Sequence, residues 1–180
     1  MNVREATLAD VPAITEIYAH HVLHGFGTFE EVPPGHEEMA ARMAAVQSRD
    51  LPYLVGEVHG RVVGFAYAGP FRPRTAYRYT AEDSVYVAPD RTGQGVGRAL
   101  LEAVCRRCEA IGLRSVLAVI GDSGNAGSIG VHRSCGFEMA GVLRGAGFKH
   151  GRWVDVVLMR LELNGGDGSP PVGDGWAFEG

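Results

Sequence analysis

The sequence predicts a mixed α/β domain, and three observations support this fold class. Residues 84–101 have the pattern of a β-strand, a glycine-rich turn and the start of a helix in one unbroken run. Residues 53–58 and 62–68, joined by a short turn, have the pattern of a β-hairpin. Residues 115–120 are apolar without alternation, which is typical of a strand buried on both faces, so we place this strand in the middle of a sheet.

The N-terminal elements follow from capping signals and apolar periodicity. Residues 3–6 have a strand-like pattern, and Thr7 followed three residues later by Asp10 has the spacing of a helix N-terminus. Apolar residues then recur at helical spacing up to Gly25, where we expect the first helix to end. A loop over 26–35 and a second helix over 36–48 precede the hairpin.

The rest of the domain is predicted from the same signals of apolar spacing. We expect a long strand over 77–88, a helix over 96–111, a further helix over 125–134 and two final strands over 138–145 and 153–162. These elements assign the domain to residues 1–163. Residues 164–180 are rich in Gly, Pro and Asp, which predicts a flexible tail unless Trp176 and Phe178 dock it on the surface.

Composition and charge favour small-molecule chemistry. The chain has 180 residues, 46% hydrophobic and 21% charged, which suits one globular domain. Its net charge of −4 is against broad nucleic-acid binding, which requires clustered Lys and Arg. No apolar run approaches the roughly 20 residues that span a bilayer, and the N-terminus lacks a signal-peptide pattern. We therefore expect a cytoplasmic protein with no nucleic-acid or membrane partner.

Two groups of metal-ligand residue types do not predict a metal site. Cys105 and Cys108 fall on the apolar face of a predicted helix, which favours buried thiols. His20, His21 and His24 have ligand-like spacing, but no acidic or cysteine partner sits beside them, which favours a solvated or core-edge cluster. We predict no bound metal.

The glycine-rich turn predicts a site for a diphosphate. Gly93, Gly95 and Gly97 let the backbone approach a bulky anion, while the first amides of the following helix and its dipole point at the charge. The spacing is neither that of a Walker loop, which also needs a lysine, nor that of the dinucleotide fingerprint. A nucleotide-containing cofactor of another kind is therefore expected.

The same run resembles motif A of the GNAT superfamily of N-acetyltransferases, which binds the pyrophosphate of acetyl-coenzyme A (acetyl-CoA). Thr92 stands where that motif usually has Gln or Arg, and Arg91 lies one residue earlier. The resemblance implies a GNAT fold, with a central, mostly antiparallel mixed sheet of six or seven strands flanked by helices. It also implies the following cofactor-binding residues: Val85, Tyr86, Val87, Thr92, Gly93, Gln94, Gly95, Val96, Gly97, Arg98, Asn125 and Ser128.

A second helix resembles GNAT motif B. Asn125, Ser128 and His132 lie at spacings of three and four ahead of Gly136 and Phe137. Histidine at position 132, where many family members have tyrosine, resembles the phosphinothricin and methionine sulfoximine or sulfone acetyltransferase branch. Further blocks of that branch occur in order over residues 28–33, 67–71, 74–77, 80–87 and 147–155, so the resemblance covers about residues 1–162.

The resemblance implies direct acetyl transfer to an α-amine. Glu82 matches the family's general base, and His132 is the candidate acid for the departing thiolate, with water as the alternative donor. Alternation places Glu82, Ser84 and Tyr86 on one strand face and the residues between them on the other. Because an α-amine has a pKa near 8, a modest base suffices.

The acceptor residues are implied in the same way. Arg74 and Tyr77 match positions that hold the acidic groups of the substrate, Phe29 would form a wall of the pocket, and Lys149 is a weaker candidate. Phosphinothricin, methionine sulfoximine or sulfone, and other amino acids all stay open as acceptors. The resemblance implies a homodimer, while a non-catalytic acyl-CoA sensor and a nucleotide-dependent oxidoreductase or kinase are the alternatives from other classes.

Overall fold

A seven-stranded sheet flanked by four α helices organises the computed structural model, which describes residues 1–177. The elements in chain order are β1 (Asn2–Glu5), α1 (Val11–His24), α2 (His36–Gln47), β2 (Tyr53–Val58), β3 (Arg61–Pro70), β4 (Thr80–Val87), α3 (Val96–Ala110), β5 (Ser115–Gly121), α4 (Ala126–Ser134), β6 (Glu138–Lys149) and β7 (Arg152–Glu162). The predicted α/β class, the N-terminal capping box of Thr7 and Asp10, and the hairpin of β2 and β3 are confirmed. No helix of the described residues is long and apolar enough to cross a membrane.

The sheet is mostly antiparallel, with one parallel pair at its centre. The strand order is β1-β2-β3-β4-β5-β7-β6, and only β4 and β5 run parallel. These two strands pair from Thr80 and Ser115 up to Asp83 and Ala118. β4 then continues to Val87 and β5 to Gly121 without further pairing to each other, so the two strands diverge beyond Asp83. Each strand remains paired with its other neighbour, β3 or β7. The sheet therefore opens at its centre and exposes backbone groups of both strands.

The two faces of β4 meet different helices. Val85 and Val87 approach Gly97 at the start of α3, since a Cβ added to Gly97 would lie 3.5 Å from the side chain of Val87. On the opposite face, the ring of Tyr86 lies 5.0 Å from the ring of Tyr18 in α1. The predicted alternation along this strand is thus confirmed. Gly64 of β3 permits the close approach of α3, because a Cβ there would meet Leu100 at 3.1 Å.

Two strand boundaries differ from the prediction by three residues or more, and the others differ by two or fewer. β4 begins at Thr80 rather than at 77, because its ladder with β3 starts at the pair of Ala81 and Pro70 and residues 75–77 form a short 3-10 turn. β6 runs to Lys149 rather than to 145, because a bulge between Leu143 and Gly147 absorbs the irregularity and pairing resumes beyond it.

The described part of the C-terminal segment packs on the domain. Trp176 is 3% exposed, and its indole N–H donates to the carbonyl of Thr80 at 3.0 Å. The backbone N–H of Trp176 donates to the carbonyl of Arg78, and the hydroxyl of Tyr79 donates to that of Gly173. Of the two alternatives for this segment, docking through Trp176 is the one observed, and a freely flexible tail is wrong up to residue 177. Phe178 lies outside the described residues.

Candidate active site

A cleft of about 590 Å³ lies between the diverging ends of β4 and β5. The start of α3 and the helix α4 form its other walls. Most of the predicted cofactor residues line it. These are Val85, Tyr86, Val87, Thr92, Gly93, Gly95, Val96, Gly97, Arg98, Asn125 and Ser128, together with His132. Gln94 does not line the cleft, because its amide turns back to the carbonyl of Asp90 at 3.2 Å.

The glycine turn presents backbone donors to the cleft. Gly93 and Gly95 have φ values of +72° and +82°, and a Cβ at either would meet nothing within 4 Å. Both conformations lie in the left-handed region, which glycine adopts at little cost. Helical hydrogen bonding begins with the N–H of Ala99 to the carbonyl of Gly95, and Gly95 makes no side-chain cap. The first-turn amides of α3 thus remain available for an anion.

The side chains of the turn are mostly engaged elsewhere, and Arg91 is the exception. Thr92 donates to the carbonyl of Pro89 at 3.3 Å, and Arg98 forms an ion pair with Glu102 at 2.7 Å. Arg91 lines the cleft, and its buried Nε makes no hydrogen bond within the described residues, although Asp90 lies 3.6 Å away. A cationic group with an unused donor beside free amides is suited to a phosphate.

The start of α4 is fixed by Asn125. Its side-chain oxygen accepts from the N–H of Ser128 at 3.1 Å, and its amide donates to the carbonyl of Gly121 at 3.4 Å. Asn125 therefore caps the helix and ties it to the end of β5. Gly121 itself must be glycine, because a Cβ there would overlap the carbonyl of Phe26 in the loop after α1.

Glu82 lies on the face of β4 that looks toward α1 and α2. It is partly buried and pairs in register with Gly69. Burial raises the pKa of Glu82, repulsion from Asp83 raises it further, and the charge of Arg72 opposes both. A second cavity of about 310 Å³ lies on this face and is lined by Gly69, Pro70 and several aromatic side chains. A partly buried carboxylate with an elevated pKa, next to a residue that lines a cavity, is suited to accept a proton.

His132 is buried against Asp83. It is 2% exposed, its Nε2 lies 2.9 Å from Oδ2 of Asp83, and its Nδ1 lies 2.7 Å from the carbonyl of Ser128. Burial alone would lower the pKa of His132, but the hydrogen bond and charge of Asp83 outweigh it, so the pKa is raised. Both ring nitrogens are thus already engaged within the protein. Asp83 is a partner that the sequence reasoning missed, and its signal was a carboxylate alternating with Val85 and Val87 on an apolar face.

The match to known proteins agrees with this arrangement. Residues 3–158 match the family model described as an acetyltransferase (GNAT) domain. The chain belongs to the GNAT acetyltransferase family. The predicted family, fold and enzyme class are therefore confirmed.

Named relatives of this GNAT chain act on small amino acid analogues. It is 57% identical to the phosphinothricin N-acetyltransferase of Alcaligenes faecalis, over 90% of this chain and 82% of that protein. It is 40% identical to an L-methionine sulfoximine/L-methionine sulfone acetyltransferase of Pseudomonas paraeruginosa, over 91% of this chain and 95% of that protein. A phosphinothricin acetyltransferase of Sinorhizobium meliloti, solved in complex with AcCoA, has a TM-score of 0.92 at 45% identity, over 95% of this chain and 92% of that chain.

The predicted acceptor residues of the GNAT domain do not come together around one cavity, whereas most of the predicted cofactor residues do. Arg74 and Tyr77 are exposed, and Tyr77 packs edge-on against Phe71. Phe29 is 40% exposed and lies against Gly147 of β6, where a Cβ would overlap its ring. None of these residues, and not Lys149, lines either of the two cavities described above.

Lys149 anchors the loop after α1. It is 1% exposed, and its ammonium donates to the carbonyl of Thr28 at 2.8 Å. Burial lowers the pKa of Lys149, and the charges of Glu31 and Glu30 oppose this. The expectation that Lys149 contacts substrate gains no geometric support, because its ammonium is buried at the loop contact.

His21 of the GNAT domain belongs to the core-edge histidine cluster expected from the sequence, with its ring 5.7 Å from that of His20, and it also lines the cleft. Its Nε2 lies 2.9 Å from the carbonyl of Val87, and its ring lies 5.4 Å from that of Tyr86. The carbonyl can only accept, so Nε2 carries the proton. Burial lowers the pKa of His21, which keeps the ring neutral at pH 7. Helical spacing alone held no signal for this contact, because it depends on how α1 packs on β4.

Proposed function

We propose that this protein transfers the acetyl group of acetyl-CoA to the α-amine of a small anionic amino acid analogue of the phosphinothricin or methionine sulfoximine type. One observation carries the proposal: Glu82, with its raised pKa, lies on the strand that opens the cofactor cleft and pairs in register with Gly69, which lines the second cavity. The names and identities of the relatives support the substrate class.

The residues of the cleft suit acetyl-CoA. The first-turn amides of α3 and the guanidinium of Arg91 would hold the pyrophosphate. The edge of β4 from Ser84 to Val87, which β5 leaves unpaired, would hold the pantetheine arm. When bound, the cofactor supplies an acetyl group activated as a thioester. A backbone N–H of Val85 to Val87 would stabilise the acetyl oxygen as it gains negative charge.

Glu82 would remove the proton that the acceptor amine must lose, directly or through one water. At pH 7 an α-amine with a pKa near 8 is about a tenth neutral, so neutralising it costs about 1 kcal/mol, against about 4 to 5 kcal/mol for a lysine amine. The new N–C bond forms as the C–S bond breaks, and the thiolate takes up one proton. Because both nitrogens of His132 are engaged, the geometry favours water over His132 as the donor of that proton.

The acceptor's anionic group would be held from the exposed segment after β3. Among residues 1–177, Arg74 makes only a 3.5 Å hydrogen bond to its own neighbour Pro73, so its guanidinium fork is open to a carboxylate or phosphinate. Tyr77 would add a hydroxyl, and Phe29 would cover the apolar part of the substrate.

A panel of amines tests this proposal. Release of free thiol from acetyl-CoA would be measured with phosphinothricin, methionine sulfoximine, methionine sulfone, the common amino acids and a lysine peptide. We expect kcat/KM for at least one anionic α-amino analogue to exceed that for the peptide at least tenfold. Coenzyme A binding without thiol release for any amine would favour a non-catalytic sensor. A larger melting-temperature shift with ATP or nicotinamide cofactors than with coenzyme A would contradict the cofactor assignment.

The proposal includes a homodimer formed through β6 and β7. β6 is an edge strand of the sheet, and Met139, Leu143, Phe148 and Trp153 on this hairpin are each at least 50% exposed. Exposed apolar side chains beside an unpaired edge suit a second copy of the chain. Light scattering should give twice the chain mass, and Leu143→Glu should give the monomer. Val172→Glu, at an apolar residue exposed elsewhere, is the matched control and should leave the mass unchanged.

The proposal also includes a cytoplasmic location. Cys105, Cys108 and Cys135 are all free thiols. Free thiols are typical of reducing compartments, where disulfides rarely persist. Cell fractionation that recovers the protein with periplasmic or secreted markers would contradict this part of the proposal.

A further inference from the structure

One buried ionisable pair has no role in the proposed reaction. Asp83 and His132 are 6% and 2% exposed and are joined by the 2.9 Å contact between Oδ2 and Nε2. The two residues come from β4 and α4, which are 49 positions apart at this contact. Burial of a carboxylate costs free energy unless a cation or hydrogen-bond donors compensate it. The pair therefore needs a structural or functional reason.

The proton count of the pair follows from its hydrogen bonds. The carbonyl of Ser128 can only accept, so Nδ1 of His132 carries a proton. Oδ2 of Asp83 faces Nε2, which must then also carry a proton if the carboxylate is ionised. The raised pKa of His132 agrees with a doubly protonated ring. The contact therefore has the geometry that suits a carboxylate–imidazolium pair.

The surroundings of Asp83 leave His132 as its compensating partner. Oδ1 of Asp83 is buried and makes no hydrogen bond within the described residues. The thiols of Cys105 and Cys108 in α3 also interact with Asp83, but burial raises the pKa of both, to about 12 for Cys108, so they stay neutral. The ring of Phe137 packs edge-on against His132 at 5.0 Å and adds no charge.

The pair lies at the base of the cleft. Asp83 is the last residue of β4 that pairs with β5, so it marks the point from which the strands diverge. His132 lies one turn after Ser128 on α4, the helix whose start is capped by Asn125. The distance between β4 and α4 sets how the cleft residues on these two elements face each other. An interaction that fixes this distance acts on cofactor binding without touching the cofactor.

We propose that Asp83 and His132 form a buried carboxylate–imidazolium pair that holds α4 against β4 at the base of the cleft, so that both serve as positioning residues for the cofactor. This inference rests on the proposed function, because the cleft is taken as the acetyl-CoA site. It assigns His132 to holding the cleft and not to protonating the thiolate. Loss of either partner should weaken cofactor binding more than it slows the chemical step.

Binding and kinetics of four variants test the positioning role. For Asp83→Ala, His132→Gln and the double variant, we expect the Kd for coenzyme A and the KM for acetyl-CoA to rise about tenfold, with kcat within about threefold. The double variant should be no worse than either single one, because both remove the same contact. Asp83→Asn should show a smaller rise, because its amide can still donate to a neutral His132. Arg133→Gln, at the exposed neighbour on α4, is the control and should leave both constants unchanged.

Nuclear magnetic resonance of the unaltered protein tests the charge state without any variant. The ring nitrogens of His132 should report a doubly protonated imidazole at pH 6.5, where an ordinary histidine is only about half protonated, and the ring should titrate at higher pH. In Asp83→Asn the same ring should titrate at lower pH. A singly protonated ring at pH 6 in the unaltered protein would overturn the proposal.

The remaining outcomes separate this inference from the proposed function. A fall in kcat of a hundredfold or more in His132→Gln, with loss of the high-pH limb of the rate profile, would overturn the positioning role in favour of a proton donor. Lower melting temperatures with unchanged Kd would overturn it in favour of a folding role alone. If the unaltered protein fails to bind acetyl-CoA, the proposed function fails, while the resonance experiment still decides whether the charged pair exists.

Discussion

The two faces of β4 differ in the groups that they offer to a ligand: one offers mainly backbone amides for the cofactor, and the other offers side chains for the acceptor. The face toward α3 and α4 borders a cleft whose proposed anion site consists of backbone amides at Gly93 to Gly97, within one continuous stretch of chain. The face toward α1 and α2 carries Glu82, and its proposed acceptor residues Phe29, Arg74 and Tyr77 come from separate, largely exposed segments. A cofactor shared by a whole family suits the fixed, local site, whereas acceptor choice depends on side chains that diverge easily.

The largest expected effect is on the acceptor face. Glu82→Gln keeps the shape of the side chain but removes its basicity, so kcat should fall about 10² to 10⁴-fold. The Kd for coenzyme A, measured by calorimetry, should stay within about twofold because Glu82 lies outside the cofactor cleft. Glu16→Gln, at an exposed carboxylate of α1, is the matched control. A fully active Glu82→Gln enzyme would remove Glu82 from the mechanism.

The next largest effect is expected for Arg74→Gln, which should weaken acceptor binding and leave cofactor binding unchanged. Losing a bidentate contact to a carboxylate or phosphinate should raise the KM of the acceptor about 10 to 100-fold. The KM of acetyl-CoA should not change, because Arg74 does not line the cofactor cleft. Initial rates with each substrate varied in turn measure both constants. Equal increases in the two KM values would contradict the assignment of Arg74 to the acceptor.

Gly95→Ala should act on the cofactor face alone. At a φ of +82°, the added Cβ costs about 1 to 2 kcal/mol of stability and shifts the turn, so the Kd for coenzyme A should rise about tenfold. Gly60→Ala is the control, because Gly60 has a similar φ of +78°, has open space around it and lies in the turn between β2 and β3. Urea unfolding should show similar losses for both, and only Gly95→Ala should lose affinity. Equal affinities would mean that the turn does not bind the cofactor.

Arg91→Gln should weaken coenzyme A binding less than Gly95→Ala does. Removing the guanidinium beside the amides should raise the Kd for coenzyme A about threefold to tenfold, and the difference should shrink as salt is added. Arg106→Gln, at an exposed arginine of α3, should have no such effect. Calorimetry at low and high ionic strength measures this. A salt-independent difference would argue against a phosphate contact.

The smallest effect concerns stability and pH. The pKa of His132 is raised in the folded protein, so its pair with Asp83 adds to the free energy of unfolding. This contribution is fully present below the unfolded histidine pKa of about 6.5, and it is lost as pH rises through the pKa of the folded state. The difference in unfolding free energy between the unaltered protein and Asp83→Asn should therefore be largest near pH 6 and shrink toward pH 9. Urea unfolding across this range measures it. A difference that grows with pH would contradict a protonated His132.

Local sequence was sufficient for the parts of the site made by neighbouring residues. The capping box of Thr7 and Asp10 forms through a 2.8 Å contact from the N–H of Thr7. The turn of Gly93 to Gly97 could be predicted for the same reason, since its conformation follows from glycine spacing between a strand and a helix. The side chain of Gln94 turns away from the cleft and donates to the carbonyl of Asp90, four residues back, so only its backbone remains a candidate for the cofactor.

Contacts between distant segments could not be predicted from pattern alone. The hydrogen bond of Lys149 to Thr28 spans 121 positions, and it converts an expected substrate contact into a loop anchor. Trp176 docks 96 positions away from Thr80, within a segment whose composition suggested disorder. Helical and strand periodicity say which face a residue occupies but not which residue faces it.

The sequence by itself determined the family, through motif blocks that occur in order along the chain. It also determined the order of the elements, the glycine turn and the strand face that carries Glu82, because each of these depends on residues that are neighbours in the chain. The tertiary structure alone decided that β4 and β5 diverge beyond Asp83, that His21 enters the cleft and that His132 pairs with Asp83. These depend on how helices seat on the sheet, where many distant contacts must be satisfied together. The partner of a buried charge is decided only in the tertiary structure, because the burial of Asp83 in β4 costs free energy that His132, from the distant helix α4, compensates.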